Sequence, residues 1–117
     1  MIKLCYDGDL RYFKTTTLTD EEANEAFEYA FTFYKYKLCM FLCNNYNITN
    51  VDKFFTAMCK QGKSINCQRL YDIYHIVITE DHIFNSTFSN NCEFYIWLIK
   101  KVKPVNLNRT VLLSIQE

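Results

Sequence analysis

The chain has 117 residues, a length that one hydrophobic core can serve, whereas two separate cores would each be marginal. Half of the residues are apolar and 17% are aromatic, which excludes a disordered chain. Thirteen Lys and Arg residues balance thirteen Asp and Glu residues, so no net positive charge is present to hold a nucleic-acid backbone or an anionic membrane. We therefore expect a single domain over residues 1–117, with no nucleic-acid partner and no membrane partner.

The beginning of the chain predicts a β-hairpin over residues 1–16. Two short apolar runs, residues 2–6 and 10–14, flank Asp7-Gly8-Asp9, and Asp-Gly is a strong signal for a tight hairpin turn. The whole chain contains only two Gly and one Pro, and this scarcity favours helices elsewhere. The predicted fold is mainly α, a compact bundle of five to six helices over residues 19–117 with a short N-terminal hairpin.

A long helix is predicted from Asp20 to Cys43, because Thr19 to Glu22 has the sequence of a capping box. Apolar positions recur along it every three or four residues, and its aromatic excess is too wide for one small core. The candidate interface is Phe31, Phe33, Tyr34, Tyr36, Met40 and Phe41. Such side chains dominate protein contacts, so we expect a homodimer or another protein partner. The alternative is that flanking helices cover this helix on both sides.

Shorter helices are predicted over the rest of the chain. The Asn44-Asn45 pair predicts the end of the long helix. The next helix is capped by Thr49 or Asn50 and ends before Gly62, and the one after it is capped by Ser64 and runs from Ile65 to about Ile78. A brief helix is then predicted from Thr79 to near Ser86, another element over residues 93–102, and a last helix capped by Asn108. Residues 94–99 suit a buried strand as readily as a buried helix, and we predict a helix.

The residues that could perform chemistry form no specific motif. Cys39 and Cys43 lie one helical turn apart, but close Cys pairs of the C-x-x-C type are absent from the sequence, so we predict no metal site. Cys67 and His75 could make a nucleophile and its base, yet this pairing is generic. We predict no catalytic residues and no cofactor, with a small cysteine-dependent or metal-binding enzyme as the alternative. His75 is expected in or near the core, and His82 in solvent.

Six cysteines and the glycosylation sequons at Asn47, Asn85 and Asn108 are typical of a secreted protein. Against this, charges interrupt the first residues where a signal peptide needs a continuous apolar run. Several cysteines also lie in periodic apolar segments, where free Cys behaves as a small buried hydrophobe. We therefore expect reduced cysteines and a location in the host cytoplasm. Heavy use of Asn, Ile, Lys, Tyr and Phe suggests an AT-rich genome such as that of a large DNA virus or of certain protozoa.

Two thirds of the chain carries a spaced pattern of apolar and Asn positions. The pattern is Cys39-x-Phe41-Leu42, Asn47-Ile48-Thr49-Asn50-Val51, Cys67-x-x-Leu70, and Val105-Asn106-Leu107 before Val111-x-x-x-Ile115. It resembles the BACK segment that follows the BTB domain in kelch-like substrate adaptors, including those of poxviruses. Arg109 stands where that family has an acidic residue, and no kelch repeats follow. The resemblance implies a cullin-linked ubiquitin ligase adaptor or a truncated mimic of one.

The chain is also similar, in size and predicted helix content, to virus-encoded helical bundles related to cellular apoptosis regulators. That similarity implies a hydrophobic groove or a dimer face that intercepts host death or inflammatory signalling. Both resemblances lead to the same kind of function. We expect a non-enzymatic viral protein that modulates its host by binding a host signalling or ubiquitin-ligase component.

Overall fold

The structure is a computed structural model that describes residues 2–102. These residues contain eight α-helices, one short 3-10 helix and no strand, so the mainly helical prediction is confirmed for them. The helices are α1 (Ile2–Asp7), α2 (Leu10–Thr15), α3 (Asp20–Thr32), α4 (Tyr36–Asn45), α5 (Asp52–Gln61), α6 (Ser64–Tyr74), α7 (Glu80–Ser86), the 3-10 helix (Thr87–Ser89) and α8 (Cys92–Lys101). The helix predicted after Asn108 and the resemblance positions from Val105 onward lie outside the described residues.

The chain divides into two compact units between Phe54 and Phe55, which are neighbours within α5. The described part of the first unit contains α1 to α4 and the first three residues of α5. That of the second unit contains the remainder of α5, then α6, α7, the 3-10 helix and α8. The expectation of one domain over the whole chain stays a prediction.

The predicted N-terminal hairpin is wrong, because its residues form α1 and α2. Gly8 has a φ of +65°, and its N–H donates to the carbonyls of Leu4 and Cys5 at 3.1 and 3.2 Å. Asp9 then caps α2 by accepting from the N–H of Arg11 at 2.9 Å. Glycine at a helix end and aspartate at a helix start satisfy unpaired backbone groups. The same dipeptide therefore suits a helix-to-helix junction as well as a hairpin turn.

The single long helix predicted from Asp20 to Cys43 is also wrong, since α3 ends at Thr32 and α4 begins at Tyr36. Its predicted start is confirmed. The Thr19 hydroxyl accepts from the N–H of Glu22 at 3.1 Å, and the Glu22 carboxylate accepts from the N–H of Thr19 at 3.0 Å. The predicted end near Asn45 is confirmed as well.

Small side chains on α3 let α1 approach it closely in the first unit. Ala23, Ala26 and Ala30 are buried, and the thiol of Cys5 donates to the carbonyl of Ala26 at 3.5 Å. Larger buried side chains complete this core. They are Phe13, Leu18, Phe27, Leu38, Cys39, Met40, Leu42, Cys43, Ile48, Val51 and Phe54.

In the second unit α5 ends before Gly62, as predicted, and α7 and α8 confirm the helices predicted at those positions. Helix α6 ends at Tyr74, earlier than the predicted Ile78, because His75 adopts a left-handed conformation with a φ of 52°. The β-branched residues that follow lose side-chain freedom in a helix, which favours this early end. The buried residues of this unit are Phe55, Met58, Cys59, Cys67, Leu70, Ile76, Ile78, His82, Ile83, Ser86, Phe94, Leu98 and Val102.

Candidate functional site

The break between α3 and α4 divides the six predicted interface residues into two groups. Met40 is buried, at 9% exposure, and belongs to the core of the first unit. Phe31 is half-buried, and its ring lies 6.4 Å from Phe27 and 6.3 Å from Phe54. Phe41 is half-buried too. The flanking elements therefore cover part of the predicted set. At the break, Tyr34 is exposed, whereas Phe33 and Tyr36 are half-buried like Phe31 and Phe41.

The chain turns at the break through a complete Schellman motif. The N–H of Tyr34 donates to the carbonyl of Phe31 at 3.1 Å, and the N–H of Lys35 donates to the carbonyl of Ala30 at 2.8 Å. This motif requires a left-handed residue, normally Gly, and here that residue is Tyr34 with a φ of 59°. Helix α5 ends in the same pair of bonds, from Gly62 to Cys59 and from Lys63 to Met58.

Tyr34 is the unusual residue among the left-handed positions of residues 2–102. The five such positions are Gly8, Tyr34, Gly62, His75 and Asn90. Gly adopts this conformation freely, and Asn and His adopt it more often than most residues. For a bulky residue it costs about 1 to 2 kcal/mol. Tyr34 nevertheless has 76% of its surface exposed, so burial of its ring does not compensate for that cost.

The rings around Tyr34 form an exposed aromatic surface. Tyr34 lies edge-on to Tyr36, with centroids 6.3 Å apart, and Tyr6 lies edge-on to Phe33 at 5.2 Å. The ammonium group of Lys35 is 5.7 Å from the centroid of Tyr6. We call these five residues, Tyr6, Phe33, Tyr34, Lys35 and Tyr36, the Tyr34 surface. Tyr6, exposed at 60%, was not among the predicted interface residues, because the hairpin prediction separated it from the helix.

The environment of Tyr36 favours the neutral form of its phenol. Partial burial raises the pKa of Tyr36, and the neighbouring Tyr34 and Cys39 groups raise it further. A cavity of about 230 Å³ lies beside these residues, lined by Tyr34, Lys35, Tyr36 and, from the α1–α2 junction, Asp7 and Gly8. Rings with a polar tip and a nearby cation suit contact with another protein, since Tyr supplies apolar area and a hydrogen bond together.

Five of the six cysteines are buried, and Cys67 is one of them. All six are free thiols, and Cys92 is the exposed one. A hydrogen bond with Cys59, together with burial, raises the pKa of Cys67, and burial raises the pKa of Cys39. Cys67 is fully buried, whereas His75, its predicted base, lies exposed at the end of α6. The reactive form of cysteine is the thiolate, so these environments oppose nucleophilic chemistry.

The two histidines occupy the opposite environments to those predicted. His75 is exposed, whereas His82 is 6% exposed and its ring lies edge-on to Phe55 at 4.8 Å. Its Nδ1 accepts from the N–H of Thr79 at 3.0 Å. His82 thus takes the third position of α7, where a Glu or Gln side chain usually binds back to the cap residue. The predicted solvent-exposed histidine is a buried capping residue.

Within residues 2–102, no group of three or more His, Cys, Asp or Glu side chains is arranged to hold a metal ion. None of the helices in this part of the chain combines the length and hydrophobicity needed to cross a bilayer.

Comparison with known proteins adds no relative. No family model matches the chain, no curated protein matches it, and no solved structure matches it. The resemblances to kelch-like adaptors and to viral apoptosis regulators therefore stay predictions.

Proposed function

We propose that the protein is a non-enzymatic interaction module that binds another protein through the Tyr34 surface. The observation that supports this most is the backbone of Tyr34 itself. A residue that is unfavourable for its own turn, and whose side chain is mostly exposed, contributes little to folding. A role in contact with a partner explains why a tyrosine occupies this position.

The partner proposed here is a host protein, and the setting is the host cytoplasm of a virus-infected cell. Signalling and ubiquitin-ligase components are the partner classes implied by the two sequence resemblances. The Tyr34 surface suits a protein partner, because Tyr and Phe are enriched at the energetic centres of protein interfaces. Half-buried Lys35, which lies beside the exposed ring of Tyr6, adds a cation that can face a carboxylate of the partner.

The test separates binding from folding by substituting Tyr34→Asn. Asparagine tolerates the left-handed conformation, so the variant should unfold at the same or a higher urea concentration than the natural chain. Binding should nevertheless fall by tenfold or more, measured by quantitative affinity purification from host cells followed by titration of the captured protein. The matched control is Tyr12→Asn, which changes an exposed tyrosine of α2 outside the Tyr34 surface.

Two results would contradict the proposal. If Tyr34→Asn keeps full binding, the Tyr34 surface is not the contact. If Tyr34→Asn lowers the free energy of unfolding by more than about 1 kcal/mol, the aromatic contact with Tyr36 matters more for stability than the backbone conformation does. Tyr34 would then be a structural residue, and its position would carry no functional meaning.

A further inference from the structure

The second unit carries an exposed aromatic pair of its own, Phe84 on α7 and Phe88 in the 3-10 helix. Their exposed fractions are 61% and 58%, and the rings lie edge-on with centroids 5.5 Å apart. The ammonium group of Lys60, at the end of α5, lies 5.4 Å from the centroid of Phe88. Two adjacent phenylalanines left in solvent are unfavourable unless another surface covers them.

Charge is distributed in a definite order along this pair. Asp81 is exposed and lies one helical turn before Phe84, so the order is Asp81, Phe84, Phe88 and then Lys60. Asp81 and Lys60 are both exposed, so both charges lie at the surface of this unit. We call these four residues the Phe88 row. It is acidic at one end, aromatic in the middle and basic at the other end.

The basic end is fixed in place by tight packing of the α5–α6 turn on the 3-10 helix. A Cβ at Gly62 would lie only 2.6 Å from the Cβ of Ser89, and the side-chain amide of Asn91 donates to the carbonyl of Gly62 at 3.3 Å. Backbone packing, and not the flexible side chains alone, therefore sets the order of the four residues in the Phe88 row.

We propose that the Phe88 row binds a second copy of this chain in an antiparallel, two-fold arrangement. Charge complementarity selects this partner. When the row is turned end to end, its basic end meets the acidic end of the other copy, and the two aromatic pairs face each other. Lys60 then faces Asp81 of the partner subunit twice in each dimer. A parallel arrangement would instead place like charges together.

The dimer is weak, because the contact is small. Four phenylalanine rings of this exposure bury on the order of 500 Å² in total, and a stable interface needs roughly 1,200 Å² or more. A contact of this size fits only weak self-association, which has to be sought at high protein concentration. Self-association should weaken at high salt, since the outer charges are exposed.

The experiment is sedimentation velocity of the full chain from about 5 to 500 μM in moderate salt, with two single charge reversals. Lys60→Glu places two carboxylates together at each end of the dimer, and Asp81→Lys places two ammonium groups together. Each variant alone should dimerise about tenfold more weakly than the natural chain. An equimolar mixture of the two should recover the natural affinity, because every contact in the mixed dimer joins opposite charges.

The matched control is Lys100→Glu, which reverses an exposed lysine of α8 in the same unit and should leave dimerisation unchanged. Phe88→Ser should abolish the dimer, and recovery in the charge mixture keeps the proposal testable even if that variant folds poorly. A natural chain that is monomeric at 500 μM would overturn the proposal, as would a mixture that fails to recover. A dimer abolished by Tyr34→Asn but not by Phe88→Ser would place self-association on the Tyr34 surface instead.

Discussion

Replacing Gly62 with alanine should destabilise the second unit by about 3 kcal/mol, for two separate reasons. Alanine at a φ of +68° costs about 1.5 kcal/mol relative to glycine, partly offset by about 0.5 kcal/mol from a less flexible unfolded chain. The new Cβ would also lie 2.6 Å from the Cβ and 2.8 Å from the Oγ of Ser89. Forcing extra volume into a packed site costs about 2 kcal/mol.

Ser89 cannot move away cheaply, because its hydroxyl donates to the carbonyl of Ser86 at 2.8 Å and accepts from the N–H of Asn91 at 3.3 Å. Gly8→Ala is the matched control. Gly8 has a nearly equal φ of +65°, but its Cβ would meet the flexible side chain of Lys35 at 3.1 Å. That variant should lose only about 1 kcal/mol, since the backbone effect is the same and the side chain of Lys35 can shift.

The assay is urea unfolding, followed by circular dichroism and by the fluorescence of Trp97, the single tryptophan, which lies in α8 of the second unit. Adding Ser89→Gly to Gly62→Ala should restore about 2 kcal/mol as a coupling energy between the two positions. If Gly62→Ala and Gly8→Ala lose the same free energy of unfolding, or if the coupling energy is near zero, the contact with Ser89 does not cause the difference between the two variants.

Four further predictions concern helix caps and thiols. Thr19→Ala should destabilise by about 1 kcal/mol in urea titrations. The hydrogen bond from the N–H of Thr19 lowers the pKa of Glu22 in the folded chain. The free energy of unfolding should therefore fall as the pH drops below the ordinary carboxyl pKa of about 4.3, and it should fall less in Glu22→Gln. His82→Ala should destabilise by about 2 kcal/mol in the same urea titrations, because it removes the bond accepted from the N–H of Thr79 and the edge-on contact with Phe55. A thiol reagent should modify Cys92 alone in the folded chain and all six cysteines in denaturant.

Where a local side chain defines a helix end, the sequence was sufficient to predict it. Thr19 with Glu22 marks the start of α3, and Gly62 marks the end of α5, because these residues satisfy backbone groups next to them. The prediction of an N-terminal hairpin was wrong because Gly8 and Asp9 suit both a hairpin turn and a helix-to-helix junction. The packing of α1 on α3, which includes the contact of Cys5 with Ala26, favours the helical one, and these two residues lie 21 positions apart in the chain.

The candidate site could be predicted in its composition but not in its geometry. The aromatic excess around residues 31–41 put Tyr34 and Tyr36 in the predicted set, and it also included Met40, which is buried. Tyr6 was missed, because its approach to Phe33 depends on α1 being a helix. The sequence around Tyr34 does not indicate a turn, because Gly, Asn and Pro are all absent from residues 25–43.

That missing signal is itself the basis for assigning a function to the position. Two Schellman motifs with the same bonding end α3 and α5, and one carries tyrosine where the other carries glycine. Glycine at Gly62 is required by both backbone conformation and packing, so folding alone explains it. Folding explains His75 and Asn90 as well, because their residue types accept left-handed backbone. Tyr34 meets neither condition and exposes its ring, and this contrast is the reason that we propose a partner contact for it.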